Sequence, residues 1–183
     1  MKKNLGARLA VCPVPIYLVS VYDSENKPNV MTVGWCGVCC SRPPCLSISV
    51  RRETHTYKGL VAHMAFTANL PTTRHAAAVS CCGRTTGRKV SKFERTGLTP
   101  VPSEFVDAPY IEEMPINLEC RIIQIHEIGS HVQFIGEIVN TRISTDFDES
   151  VPLIEQGDPF IVYGTGNDFK YYPIGSPIEF ENI

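Results

Sequence analysis

Apolar and polar positions along this chain fall mainly into short alternating runs, and such runs predict β-strands rather than helices. The predicted strands cover residues 15–22, 30–35, 46–50, 65–70, 116–128, 131–143 and 160–163. Turn-forming residues 23–29 join the first two strands, and Gly129-Ser130 joins the two longest strands in a tight hairpin. Tyr171 and Tyr172 add an aromatic segment near the end of the chain. Strands therefore dominate the predicted fold.

Three short stretches carry a helical pattern instead. These are residues 57–64, the alanine-rich residues 74–81 and the single turn at residues 91–95. Thr54 or Thr56 can cap the first helix, and Gly97 can close the third. Residues 100–115 contain four prolines and are predicted to form a long surface excursion.

The order of these elements favours one fold class. Helices are inserted after the third and fourth strands, without repeats and without a regular strand–helix alternation, so a small antiparallel barrel with peripheral helices is expected. A chain of 183 residues with 43% hydrophobic content can bury one good core, and we predict a single domain over residues 1–183. The glycine fingerprint of a Rossmann dinucleotide-binding unit is missing.

Charge and hydropathy exclude several function classes. Charged residues make up 20% of the chain and the formal net charge is -2, so no broad basic field is present for nucleic acid or an anionic membrane. Any anion site must be local. No apolar run approaches the roughly 20 residues that a membrane helix needs, and we expect a soluble, cytoplasmic protein.

Residues 35–39, read WCGVC, differ by one residue from the redox motif of thioredoxins. In thioredoxins a helix begins at the motif and lowers the pKa of the first thiol. Here the next residues, CSRPP, lead into a strand, which argues against disulfide exchange by Cys36 and Cys39. A cysteine-bound metal would need a second Cys-x2-Cys knuckle, which the chain lacks. Reduced cysteines that fill apolar positions are the expected state.

The histidines are scattered and form no catalytic or metal-binding motif, so a bound cofactor is the expected source of reactivity. Three clusters could hold one. They are the strand end at residues 32–35, a hydroxyl and basic run at 49–56, and a basic loop at 84–92. Small residues and backbone amides suit a flat ring, while basic and hydroxyl groups suit a phosphate. The alternative is that the charged runs are solvated loops.

Ordered segments spread over nearly the whole chain resemble the flavin reductase-like family, the FMN-binding split barrels, and within it the flavoredoxins. The segments are residues 12–19 (CPVPIYLV), 29–37 (NVMTVGWCG), 42–44 (RPP), 53–57 (ETHTY), 66–71 (FTANLP), 87–93 (GRKVSKF), 108–109 (AP), 118–120 (LEC) and 129–138 (GSHVQFIGEI). The resemblance implies a mainly β fold, an antiparallel, Greek-key-like split barrel with a few peripheral helices.

The resemblance also implies an FMN site and its residues. By this resemblance the flavin ring would lie along Thr32, Val33, Gly34, Trp35, Cys36 and Gly37. The ribityl chain and phosphate would lie near Ser49, Val50, Arg51 and Arg52, with further phosphate contacts from Thr54, His55, Thr56 and Lys92. Asn69 and Leu70 would close the pocket. His131 matches a position that some relatives place near the nicotinamide. Ser91 departs from the Asp of many relatives, and Cys39 or Cys40 from a Ser or Thr.

Two functions follow from this resemblance. One is an NAD(P)H-dependent flavin reductase, in which hydride passes from NADH or NADPH to bound FMN and electrons pass on to an acceptor. The other is a non-enzymatic electron carrier of the flavoredoxin type with a redox protein as partner. A thiol oxidoreductase using Cys36 and Cys39 is a third class. The family further implies a homodimer with the cofactor close to the subunit interface.

Overall fold

A seven-stranded antiparallel sheet forms the body of the protein. The computed structural model describes residues 1–164 and 170–177. In this part of the chain the strands are β1 (Val14–Pro15), β2 (Tyr17–Tyr22), β3 (Pro28–Val33), β4 (Cys36–Ser41), β5 (Pro44–Val50), β6 (Ala65–Leu70), β7 (Pro100–Pro102), β8 (Pro109–Ile111), β9 (Ile116–Ile128), β10 (His131–Ile143), β11 (Ile161–Gly164) and β12 (Lys170–Pro173). The helices are α1 (His55–His63), α2 (Ala76–Arg84) and α3 (Lys92–Thr96), with single 3-10 turns at Thr73–His75 and Leu153–Glu155.

The main sheet has the strand order β3-β2-β6-β9-β10-β5-β4. Two smaller sheets flank it, β1-β11-β12 and β7-β8. The hairpin of β9 and β10 is the longest pairing, and it includes two register shifts, one of them between Ile135 and Gly136. Such bulges bend a strand and increase its twist, so they help this long hairpin to curve.

The main sheet curls around its buried face. Val33 near one edge and Leu46 near the other belong to the same buried cluster as Phe66 and Phe134 from the centre. The edge strands β3 and β4 nevertheless share no ladder among the described residues. A curled sheet without closure is a split barrel, and this confirms the predicted fold class.

A second buried cluster holds α2 and α3 against the outside of the barrel. Val79 and Cys82 of α2 and Phe93 of α3 pack there against Leu18 and Val30. Helix α1 closes a different part of the barrel, with Leu60 fully buried in the first cluster. Of the two predicted caps for the first helix, Thr54 caps α1 and Thr56 lies inside it, while Gly97, with a φ of 72°, ends α3 as predicted.

Several predicted strands are confirmed with their bounds, namely residues 65–70, 116–128 and 131–143. The predicted strands 30–35 and 46–50 leave residues 36–41 in the connection between them, and this is wrong. They form the edge strand β4, whose register pairs Cys36 with Ile48. The small residues of this stretch give no clear alternation, so only the pairing with β5 reveals it as a strand.

The reading of residues 100–115 as a surface excursion is also wrong in part. The segment contains the ladder of β7 and β8, and it buries Ala108, Ile111 and Met114. The aromatic segment at 171–172 is likewise part of a strand, β12, which pairs with β11. None of the helices in the described ranges has the length and apolar character to cross a membrane.

Candidate functional site

A half-open cavity of about 370 Å³ lies where the ends of β3 and β5 meet the end of α2 and the small β1-β11-β12 sheet. Ile16, Met31, Val33 and Val50 contribute apolar surface to it. Ligand pockets in proteins occupy roughly 300–1,000 Å³ and combine apolar walls with a few polar groups. The cavity therefore has the size and chemistry of a small-molecule site.

The end of β3 and the residues after it form one wall. Thr32, Val33, Gly34 and Trp35, which form one of the three candidate clusters in the sequence, all line the cavity. The amide of Ser49 donates to the carbonyl of Trp35 at 2.8 Å, which extends the β4–β5 pairing up to the cavity. A hydrogen bond of 2.6 Å from the Thr32 hydroxyl to the carbonyl of Val79 holds α2 against this wall.

The chain that leaves β5 forms the polar side of the cavity. Ser49, Val50, Arg51 and Thr54 line it. The Thr54 hydroxyl donates to the carbonyl of Arg51 at 2.8 Å and accepts the amide of Tyr57 at 3.3 Å, so the cap of α1 also shapes this turn. The Arg51 guanidinium lies 3.7 Å from Glu53, and its side chain is 60% exposed.

The remaining lining comes from residues distant in sequence. Gly83 and Arg84 at the end of α2, Tyr163 of β11 and Tyr171 of β12 all face the cavity, and His131 does so from the start of β10. The two tyrosine rings are tilted at 50° with centroids 6.2 Å apart. In the described part of the chain, Arg84 has no carboxylate partner and no carboxylate lines the cavity. The site is therefore suited to an anionic ligand with a flat apolar part.

Residues 9–164 match the flavin reductase like domain family. The chain belongs to this family. Its fold also resembles those of solved structures. Flavoredoxin of Desulfovibrio vulgaris (Miyazaki F) is 36% identical, with a TM-score of 0.86 over 98% of this chain and 97% of that one.

Two further proteins are similar to this chain, one in structure and one in sequence. Flavoredoxin from Methanosarcina acetivorans is 25% identical, with a TM-score of 0.89 over 98% of this chain and 95% of that one. An uncharacterized protein of Archaeoglobus fulgidus is 32% identical over 142 residues, 78% of this chain and 79% of its own. The family and the split-barrel fold expected from the sequence are thus confirmed.

Other residues that the family resemblance assigned to the cofactor lie outside the cavity. Arg52 follows Arg51 but faces away, where its guanidinium pairs with Glu127 and donates to the Tyr57 hydroxyl at 3.1 Å. Gly37 lies beyond the cavity in β4, and its carbonyl accepts the Ser47 hydroxyl at 3.2 Å. Arg52 lies in the turn between β5 and α1, which the hydrogen bond from the Thr54 amide to the carbonyl of Arg51 closes, and this turn directs Arg52 away from the cavity.

The residues predicted to add phosphate contacts are divided in the same way. Only Thr54 lines the cavity. His55 and Lys92 line a separate cavity of about 670 Å³. There the His55 Nε2 lies 3.1 Å from an Asp23 carboxylate oxygen, and the Lys92 ammonium donates to the carbonyl of Cys82 at 2.8 Å. Burial lowers the pKa of Lys92, as expected for an ammonium with a neutral partner.

The other assigned polar side chains hold the barrel together. Thr56 is buried and accepts the Asn29 side-chain amide at 2.8 Å. Asn69 is fully buried, donates to the carbonyl of Leu18 at 2.7 Å and accepts the side-chain amide of Asn117 at 2.8 Å. Leu70 lies in a different apolar pocket with Ile116 and Phe160. Their partners are therefore protein groups rather than groups of the cavity.

The Cys36-x-x-Cys39 pair does not have the geometry of a thiol redox motif. Both cysteines belong to the extended strand β4, where residues three apart lie roughly 10 Å from each other. A disulfide needs Cα atoms within about 7 Å. The Cys36 thiol points at the carbonyl of Val33, 3.3 Å away, and burial raises its pKa to about 12. At neutral pH this thiol is protonated and a poor nucleophile.

The prediction from sequence did not include the lining residues Ile16, Met31, Gly83, Tyr163 and Tyr171, and it included Arg84 only as part of the basic loop at residues 84–92. Signals existed for some of them. Ile16 and Met31 belong to segments that carry the family resemblance, and Arg84 begins the basic loop that was singled out. The two tyrosines gave no local indication, because only the pairing of β11 with β1 and β12 brings them to the cavity.

Proposed function

We propose that this chain is an FMN-binding redox protein whose flavin is reduced by NADH or NADPH. The observation that carries the proposal is the half-open cavity, which combines apolar and aromatic lining with the two arginines Arg51 and Arg84 and has no carboxylate among its described lining residues. FMN has the matching parts, a flat ring with a polar edge and a phosphate at the end of a ribityl chain. The family of the chain supports the same conclusion.

The lining residues fit this cofactor part by part. The strand end from Thr32 to Trp35 presents small residues and backbone amides, which suit the edge of the ring. Arg51 and Arg84 supply donors for the phosphate, with the hydroxyls of Ser49 and Thr54 close to Arg51 in the chain. Charge-assisted hydrogen bonds between guanidinium and phosphate are shorter and stronger than neutral ones.

The bound flavin supplies the redox chemistry, accepting hydride from a nicotinamide and passing electrons to an acceptor. The protein's part is to position the two molecules. His131 lines the cavity from the start of β10, and its Nδ1 lies 2.8 Å from the Ser130 hydroxyl. The rings of Tyr163 and Tyr171 also line the cavity, with their centroids 6.2 Å apart. His131 is accordingly assigned to orient the nicotinamide.

A second candidate function has its own support. Flavoredoxin of Desulfovibrio vulgaris (Miyazaki F) is 36% identical across nearly the whole chain. A non-enzymatic carrier of this type would hold FMN in the same cavity and exchange electrons with a redox protein at the open side. It would need no nicotinamide position, so reduction by nucleotide separates the two functions.

An anaerobic absorbance titration of the purified protein tests both. We expect flavin to copurify with the protein, with absorbance bands near ~450 nm. These bands should bleach on addition of NADH or NADPH, as fast as the enzyme turns over. His131→Ala should slow this bleaching, whereas His126→Ala, an exposed histidine outside the cavity, should not. Bleaching by dithionite alone would favour the electron carrier, and a protein without any affinity for flavin would contradict both functions.

A further inference from the structure

The hairpin of β4 and β5 places two cysteines directly opposite each other. Its register pairs Cys40 with Cys45, one residue before the turn-flanking pair of Ser41 and Pro44. Opposed residues of antiparallel strands have Cα atoms about 4.5 to 5.5 Å apart. Disulfides span about 4.4 to 6.8 Å between Cα atoms, so a bond between these thiols needs little movement of the backbone.

A register shift between Val38 and Cys40 creates this alignment. Val38 opposes Leu46, and the next pair along the hairpin is Cys40 with Cys45, so Cys39 is left without an opposite residue. The Cys39 thiol instead lies 3.6 Å from the carbonyl oxygen of Cys45. The bulge therefore selects Cys40 rather than Cys39 as the partner of Cys45.

The two opposed thiols differ in exposure. Cys40 is exposed, whereas Cys45 is 2% exposed and its thiol donates to the carbonyl of Pro43 at 3.4 Å. Burial, and to a lesser degree the neighbouring Cys40 thiol, raises the pKa of Cys45. A molecule from solution can thus reach Cys40 but not Cys45. In the part of the chain that the structure describes, no third side chain completes a metal site with them.

We propose that Cys40 and Cys45 form a thiol–disulfide exchange site that is oxidised by low-molecular-weight disulfides such as oxidised glutathione. The Cys40 thiolate attacks one sulfur of the small disulfide, which forms a mixed disulfide and releases one thiol. The Cys45 thiolate then attacks the Cys40 sulfur, forms the protein disulfide and releases the second thiol. Two protein thiols are oxidised, one small disulfide is reduced, and both protons leave on the released thiols.

This site is separate from the cavity that holds the flavin in the proposed function. Ser49, at the polar side of that cavity, lies four residues along β5 from Cys45. At the rise of an antiparallel strand this is roughly 13 Å. The exchange therefore does not depend on the flavin, and its test can succeed or fail independently of flavin reduction.

The experiment exposes the protein, purified as it is, to oxidised glutathione without oxygen and maps the cysteines by peptide mass. In the unmodified protein we expect a peptide containing a Cys40–Cys45 disulfide and no stable adduct on Cys40. Cys45→Ala should accumulate the glutathione adduct on Cys40, because the resolving thiol is gone. Cys40→Ser should show neither the disulfide nor an adduct on Cys45.

Cys39→Ser is the matched control, since Cys39 is exposed and adjacent but unopposed. It should form the Cys40–Cys45 disulfide to the same extent as the unmodified protein, and dithiothreitol should reverse the bond in both. A stable adduct on Cys40 of the unmodified protein, a bond through Cys39, or unreacted thiols at 40 and 45 would each overturn the proposal. Far-ultraviolet circular dichroism of each variant checks that it folds.

Discussion

At the scale of single residues, the basic side chains predicted to bind phosphate or found at the cavity fall into two sets. Arg51 and Arg84 face the cavity, whereas Arg52 is paired with Glu127 and the Lys92 ammonium is occupied by a backbone carbonyl. Among the described residues Arg84 has no carboxylate partner, and Arg51 has only a long, exposed contact of 3.7 Å with Glu53, so both guanidinium groups can still bind an anion. We therefore assign the phosphate of the proposed cofactor to the first set.

Replacing Arg84 with alanine should weaken FMN binding roughly tenfold, because a charge-assisted hydrogen bond to the phosphate is lost at an exposed position. Arg95→Ala removes the same charge from an exposed site on α3, outside the cavity, and should leave binding unchanged. Quenching of FMN fluorescence on titration with flavin-free protein measures both. Equal affinities for the two variants would show that Arg84 does not contact the phosphate.

At the scale of elements, the β9–β10 hairpin links the core to the cavity. Its second strand, β10, begins with His131, which lines the cavity, and has a register shift between Ile135 and Gly136. Gly136 is buried, and a Cβ atom there would lie 2.7 Å from the ring of Phe66 and 2.9 Å from the Cβ of Cys120. The close approach of β10 to these two side chains thus requires glycine.

Gly136→Ala should lower the free energy of unfolding by about 1–3 kcal/mol, the usual cost of overpacking a core. Gly37→Ala is the comparison, since a Cβ in that strand would have no heavy atom within 4 Å. Urea unfolding followed by circular dichroism measures both variants. The idea is wrong if Gly136→Ala unfolds at the same urea concentration as Gly37→Ala.

At the scale of the whole molecule, the barrel exposes several large apolar side chains on its strands. Val38 of β4 is 74% exposed, and Ile123, Ile125 and Ile128 of β9 are each at least 40% exposed. Exposed apolar surface of this kind is often covered by another protein. It supports the expectation, implied by the family, that two copies of the chain associate close to the flavin site.

Light scattering coupled to gel filtration should accordingly give twice the chain mass of 20.3 kDa. The expected reason is burial of these side chains between two copies, which removes apolar surface from water. A species of 20.3 kDa that retains flavin would show that one chain is sufficient for the site.

Local sequence patterns were enough to predict those elements that depend on interactions between residues close together in the sequence. The alternation of residues 116–128 and 131–143, with Gly129-Ser130 between them, placed the longest hairpin with its bounds. A threonine cap before a helical pattern predicted α1 over residues 57–64, and the helix begins two residues earlier, at His55 after Thr54. The strand end at residues 32–35 was also found from the sequence, because its small and hydroxyl residues interrupt an apolar strand.

Tertiary structure decided which of these residues share a site. Arg51 and Arg52 have the same charge in sequence, and only the path of the chain after β5 sends one to the cavity and the other to Glu127. Tyr163 and Tyr171 reach the cavity only through strand pairing. The thiol pair likewise depends on a one-residue bulge. Local patterns thus determined the elements, whereas pairing over long sequence separations determined the site, because it sets which side chains face one another.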